Sequence, residues 1–188
     1  MSENIQHGAV AGTDDAQLRA MIAEVAQSQD ELVAELVGLG ATMTAAMDAL
    51  PGFVPCGHAF GIVIEGLAAS AGHVDPAHVR EVTAAVRARS EHVSDHRGVA
   101  QGKPVDVRHS LAGDGKTSAM RAQLLVSLQG IAPYAMRAME LGVMSDDLDV
   151  ALARALAVLG RSDATVAELH EQLAGVSEAA RVALTLAV

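Results

Sequence analysis

Two phenylalanines, one tyrosine and no tryptophan are all the aromatic residues that 188 positions provide. A core built on packed rings is excluded, so the interior has to be assembled from Ala, Val, Leu and Met. Cysteine is nearly missing as well: a single residue, Cys56, cannot close a disulfide within the chain. Lysine stands only at 103 and 116, beside eleven arginines. That bias, with so much Ala, Gly and Val, matches a GC-rich bacterial coding sequence. Positive charge is scarce overall, because 13 Lys and Arg face 23 Asp and Glu for a net charge of −10. A surface of that sign opposes contact with phosphates, and no nucleic-acid partner is expected.

An uninterrupted apolar run is lacking too. The most apolar stretch, residues 53–72, contains His58, Glu65 and four glycines, and a carboxylate at the middle of a bilayer costs at least about 2.5 kcal/mol. No membrane partner is expected. The first ten residues, MSENIQHGAV, have neither the basic start nor the apolar stretch of a secretory leader. The expectation is a cytoplasmic protein, with residues 1–12 disordered.

What the chain does have is apolar bulk, 51% of its residues, and 37 alanines. The first is enough to offset the entropy of folding, which excludes a disordered polymer. The second favours helices that approach closely, since Ala has the best helix propensity. Hydrophobic spacing agrees. Leu18, Ile22, Val25, Gln29, Leu32, Leu36, Leu39, Met43, Ala46 and Leu50 step by threes and fours along one long helix, opened by Thr13-Asp14-Asp15 as a cap and closed by Pro51-Gly52, with Gly38 and Gly40 as bending points. A second helix is predicted over 55–72, nearly uncharged and therefore central. The third starts at the cap Asp75 with Pro76 in its first turn and runs to His96. Residues 97–115 hold four glycines and form the one long irregular loop. Further helices follow over 116–141, kinked by Pro133, and over 146–159 after the cap Ser145. Two short ones are predicted over 164–174 and 177–187, parted by Gly175. The fold class is all-α: a bundle of five to seven helices in a single domain, 1–188.

The C-terminal run Ala164-Thr-Val-Ala-Glu-Leu-His-Glu-Gln-Leu-Ala-Gly-Val-Ser-Glu-Ala-Ala-Arg resembles a helix-turn-helix of the winged kind over some 25 residues. The resemblance implies a Gly-Val-Ser turn feeding a second helix into the major groove. Ala174 adds a residue before the turn glycine, and the second helix carries one base, Arg181, against Glu178. The degenerate motif is therefore assigned to a closing helix pair or a dimerisation element.

Three constellations carry chemistry. From His96 to Arg121 there are five bases against Asp106 and Asp114, about +3, which leaves −13 to the remainder. The segment ends in Gly115-Lys116-Thr117, as a phosphate-binding loop does, although Ser110 replaces the first glycine that such a loop needs. Arg108, His109, Lys116, Thr117 and Arg121 are the expected anion-binding residues, helped by free N–H groups at a helix start. The alternative is a glycine-rich loop with Thr117 or Ser118 capping the next helix. Second, His58 and Glu65 stand two turns apart on the apolar second helix, and a buried acid there acquires a raised pKa or pairs with an arginine such as Arg121 or Arg137. These two are the expected catalytic residues. Third, His92 and His96 stand four apart, a metal-compatible spacing, yet two ligands do not make a site. No metal and no cofactor are expected. Met120, Met136, Met139 and Met144 supply an adaptable apolar wall.

The sequence thus predicts a helical bundle that binds a small anionic organic molecule between the second helix and the 116–141 helix. Conversion by acid/base chemistry would be an elimination, cyclisation, isomerisation or hydrolysis without a cofactor. The rivals are a non-catalytic dimerisation or regulatory partner, with the Leu18–Leu50 seam buried against another chain, and a His-ligated metal-binding bundle. A homo-oligomer or partner complex is expected in either of the first two cases.

Overall fold

The computed structural model describes residues 10–55, 58–72, 75–113, 115–142 and 145–186. Among them the chain forms an all-α bundle of seven helices with no strand: α1 Val10–Ala49, α2 His58–Ala71, α3 Pro76–Arg97, α4 Val107–Leu111, α5 Lys116–Glu140, α6 Asp146–Gly160 and α7 Val166–Leu186. The long α1 is the axis. It packs along α3 on one side and α6 on the other and also touches α2, while α5 joins α2 to α7 and α7 closes against α6. Leu32, Leu36, Leu39, Met43 and Ala46 of α1 are almost fully buried, as the three-and-four spacing requires. The other end of the same seam is bare. Residues 15–24 are exposed throughout, among them Leu18 at 55%, Met21 at 57% and Ile22 at 60%. The predicted seam is therefore split, its C-terminal part filled within the chain and its N-terminal part uncovered.

Several predicted boundaries move. Helix α1 already runs at Val10, so residues 10–12 are helical and not disordered as expected, residues 1–9 lie outside the described residues, and Thr13–Asp15 lie inside the helix and do not cap it. By composition and length its Asp15–Ala49 portion, not 53–72, is apolar enough to cross a membrane, and within the fold 61% of its most apolar window is covered. Gly38 and Gly40 serve close approach: a Cβ on Gly40 would stand 2.5 Å from Leu156 Cβ of α6. Residues 97–115 are not all irregular, because Asp106 accepts from the His109 N–H at 3.2 Å and starts the single turn α4. Helix α5 begins at Gly115 with no side-chain cap, so neither Thr117 nor Ser118 takes that role, and Ser145 occupies the cap position of α6 without a side-chain bond.

The C-terminus departs furthest. One continuous helix, α7, replaces the two predicted short ones, and the helix-turn-helix turn at Gly175 does not exist. Leu169, Val176, Ala180 and Ala183 are buried on one stripe that runs straight through that glycine. Packing of the stripe outweighs the roughly 1 kcal/mol that a helical Gly costs relative to Ala. A reciprocal capping box holds the start, with Thr165 N–H donating to Glu168 at 2.8 Å and Glu168 N–H donating to Thr165 Oγ1 at 3.2 Å.

Candidate functional site

Helix α2 turns one stripe, Gly61, Ile62, Glu65, Ala68 and Ala69, towards a cavity of about 960 Å³. Glycine and alanine at three of those positions leave the space that larger side chains would fill. Opposite stand Met136, Met139 and Glu140, neighbours at three and four residues on α5, with His78 and Arg89 from α3 and Asp149 from α6 completing the wall. Phe60 and Ile64, both almost fully buried, give the cavity an apolar lining continuous with the core. The volume lies at the upper end of the roughly 300–1,000 Å³ of small-molecule sites, and the mixture of apolar lining and a few polar groups is theirs too.

Asp149 is the unusual group on that wall. It is 4% exposed, and its Oδ1 is covered and without a hydrogen-bond partner among the described residues. Burial, and after it the charge of Asp146, push its carboxyl up to about 7. A carboxyl that titrates near neutrality can give or take a proton at physiological pH, which an ordinary Asp cannot.

The predicted catalytic residue Glu65 is present in the cavity but not as predicted. Its side chain is 52% exposed at the mouth, with His78 Nε2 at 4.0 Å as its basic neighbour. It is neither buried in an apolar pocket nor paired with Arg121 or Arg137, which bond instead to the Arg161 carbonyl and to Glu140. At that separation and exposure its charge contributes little to stability. His58 begins α2, and its side chain lies outside the described residues.

The predicted anion-binding residues are not gathered in this cavity. Arg108 pairs with Asp30 at 2.5 Å beside a separate hollow of about 220 Å³. Burial holds the Asp30 carboxyl above its ordinary value despite that guanidinium. Arg121 is buried, donates to the carbonyl that ends α6 and, among the described residues, leaves its Nε without an acceptor. Lys116 and His109 are exposed and Thr117 is half-buried. Of the methionine wall, Met136 and Met139 face the cavity, Met120 packs against the core, and Met144 lies outside the described residues. His92 and His96 are exposed with ring centroids 3.9 Å apart. Among the described residues no three His, Cys, Asp or Glu side chains converge as a metal site would need.

Asp149, His78 and Arg89 were missed by sequence reasoning. The signal for Asp149 was present: three, four and seven residues on stand Leu152, Ala153 and Leu156, so the acid falls on the apolar stripe of its own helix. Asp75 caps α3 by accepting from Ala77 N–H at 2.9 Å, and His78, three residues on from it, lines the cavity. Comparison with known protein families, with curated proteins and with solved structures finds nothing that matches this chain.

Proposed function

We propose that the protein binds a small, largely apolar organic molecule in the cavity between α2, α3, α5 and α6, with Asp149 as the group able to exchange a proton with it. The cavity itself carries this reading. Its size, its apolar lining and its few polar side chains are the features of a ligand site, and two mobile methionines let it adapt to a guest. Any acid/base conversion of the guest falls to Asp149 rather than to Glu65 and His58. The test is a thermal-shift screen of small aromatic and alicyclic compounds against the wild type and against Gly61→Leu and Ala68→Trp. Position 61 is a sensitive one, since even a Cβ there meets Met139 Cε at 3.2 Å. A ligand at 100 times its dissociation constant is expected to add about 2.7 kcal/mol of stability, and both variants are expected to lose that shift. A shift retained in both variants places the ligand elsewhere.

The bare end of α1 supports a second reading, self-association through Leu18, Met21 and Ile22. The solution mass decides it. A dimer that becomes a monomer on Leu18→Gln/Ile22→Gln supports the reading, and a wild-type monomer at high concentration removes it.

A further inference from the structure

We infer that the guest of the α2–α3–α5–α6 cavity carries a protonated amine that docks on the Asp149 carboxylate. The inference rests on the ligand-binding reading above and names the chemistry of the ligand's polar end. A carboxyl that is 4% exposed, with one oxygen lacking any donor among the described residues, is costly to keep charged. The surrounding groups do not relieve it. On α5, Glu140 is matched by Arg137 at 2.7 Å; on α2, Glu65 lies beside His78 of α3. Arg89, the remaining base on the wall, does not neutralise Asp149 either, whose carboxyl is raised by burial and by Asp146 with no base acting against them. It is half-buried, and its long stem lets the guanidinium find water without a counter-ion. The unmet demand at Asp149 is therefore for a donor, and for positive charge.

Three kinds of polar head answer that demand differently. A carboxylate meets three acids on the wall and, even where Arg89 receives it, leaves Asp149 unpaired. An alcohol offers one hydrogen bond and no charge. An ammonium group offers both, in the charge-assisted form that is about twice as strong as a neutral hydrogen bond. Binding then requires ionised Asp149. The groups facing it are Glu65 on α2, His78 and Arg89 on α3, Glu140 on α5 and Asp146 on its own helix. Because its carboxyl titrates near 7, amine affinity is expected to fall as pH drops from about 8 to about 5.

The experiment compares phenethylamine, phenethyl alcohol and phenylacetate, and then tryptamine, tryptophol and indoleacetate, by ligand-observed saturation-transfer NMR and thermal shift. Wild type, Asp149→Asn and Ala68→Trp are measured at about pH 8 and about pH 5. The expected result is that each amine binds the wild type at least about tenfold more tightly than its alcohol or carboxylate at the higher pH. In Asp149→Asn that preference shrinks to under about threefold and no longer depends on pH. Equal binding of the three heads, preference for the alcohol or carboxylate, or an amine preference that survives in Asp149→Asn overturns the inference. In those cases loss of binding in Ala68→Trp keeps the cavity as the site, so only the amine assignment falls. Absence of binding by every compound to the wild type ends both readings.

Discussion

Asp149→Asn is expected to leave stability unchanged near pH 4 and to raise it by about 4 kcal/mol from pH 7 upward. The sign follows from where the proton sits. In the unfolded chain the carboxyl ionises at its ordinary value of 3.8, whereas in the folded protein it keeps its proton to about 7. Between those two values the native state binds one proton more than the unfolded state, so wild-type stability falls with rising pH. The loss is about 1.4 kcal/mol per pH unit and it levels off above 7. Asparagine has the same shape and no proton to lose. The difference between variant and wild type therefore opens across this window and is insensitive to other titrating groups such as Asp30, which both proteins share. Urea midpoints at a series of pH values measure it. A difference that stays flat with pH would show that Asp149 is solvated or paired in solution. A gain of this size from one conservative change at a cavity wall is also what a site that sacrifices stability for function predicts.

The helices were legible because their signals are local. Asp75, Pro76 and the valines at 79, 82, 86 and 93 define α3 almost to the residue, and Gly98 ends it at φ 63°. Where a local signal competed with packing, packing won. Gly175 reads as a break, and the buried stripe of α7 overrides it; Ser145 reads as a cap, and its hydroxyl makes no capping bond to α6. The site was legible only in part, for a physical reason. The stripe of α2 that holds Glu65 and the methionines of α5 were visible as faces, but which side chains meet across a cavity depends on how four helices cross, and no periodicity encodes that. The charge count of the 96–121 segment was sound, yet it recorded bases without their partners. Asp30, from α1, lies 78 residues before Arg108 in sequence and takes up its charge.

The same dependence on crossings makes two glycines respond oppositely to one chemical change. Gly102 lies where the segment between α3 and α4 passes over α1. A Cβ there would stand 2.1 Å from the Gly38 carbonyl oxygen and 2.7 Å from Ala41 Cβ. The first of these is backbone and has no rotamer to escape into, so the segment itself must lift. Lifting it stretches the hydrogen bond from Gly102 N–H to Thr42 Oγ1, now 2.8 Å. That hydroxyl in turn donates to the Gly38 carbonyl at 3.0 Å and accepts from Ser90 at 2.8 Å, so one displacement disturbs a buried polar cluster joining α1, α3 and the loop. Ordinary overpacking costs roughly 1–3 kcal/mol, and a stranded buried donor costs a further 1–3 kcal/mol or so. Gly102→Ala is expected to destabilise by about 4 kcal/mol. Gly175→Ala is expected to stabilise by up to about 1 kcal/mol, because that glycine is exposed in mid-helix with nothing within 4 Å of an added Cβ. Denaturant titration of the two variants side by side measures both. If Gly102→Ala is neutral, the segment does not press on α1 as described; if Gly175→Ala destabilises, α7 is not one continuous helix and the broken C-terminus read from the sequence returns.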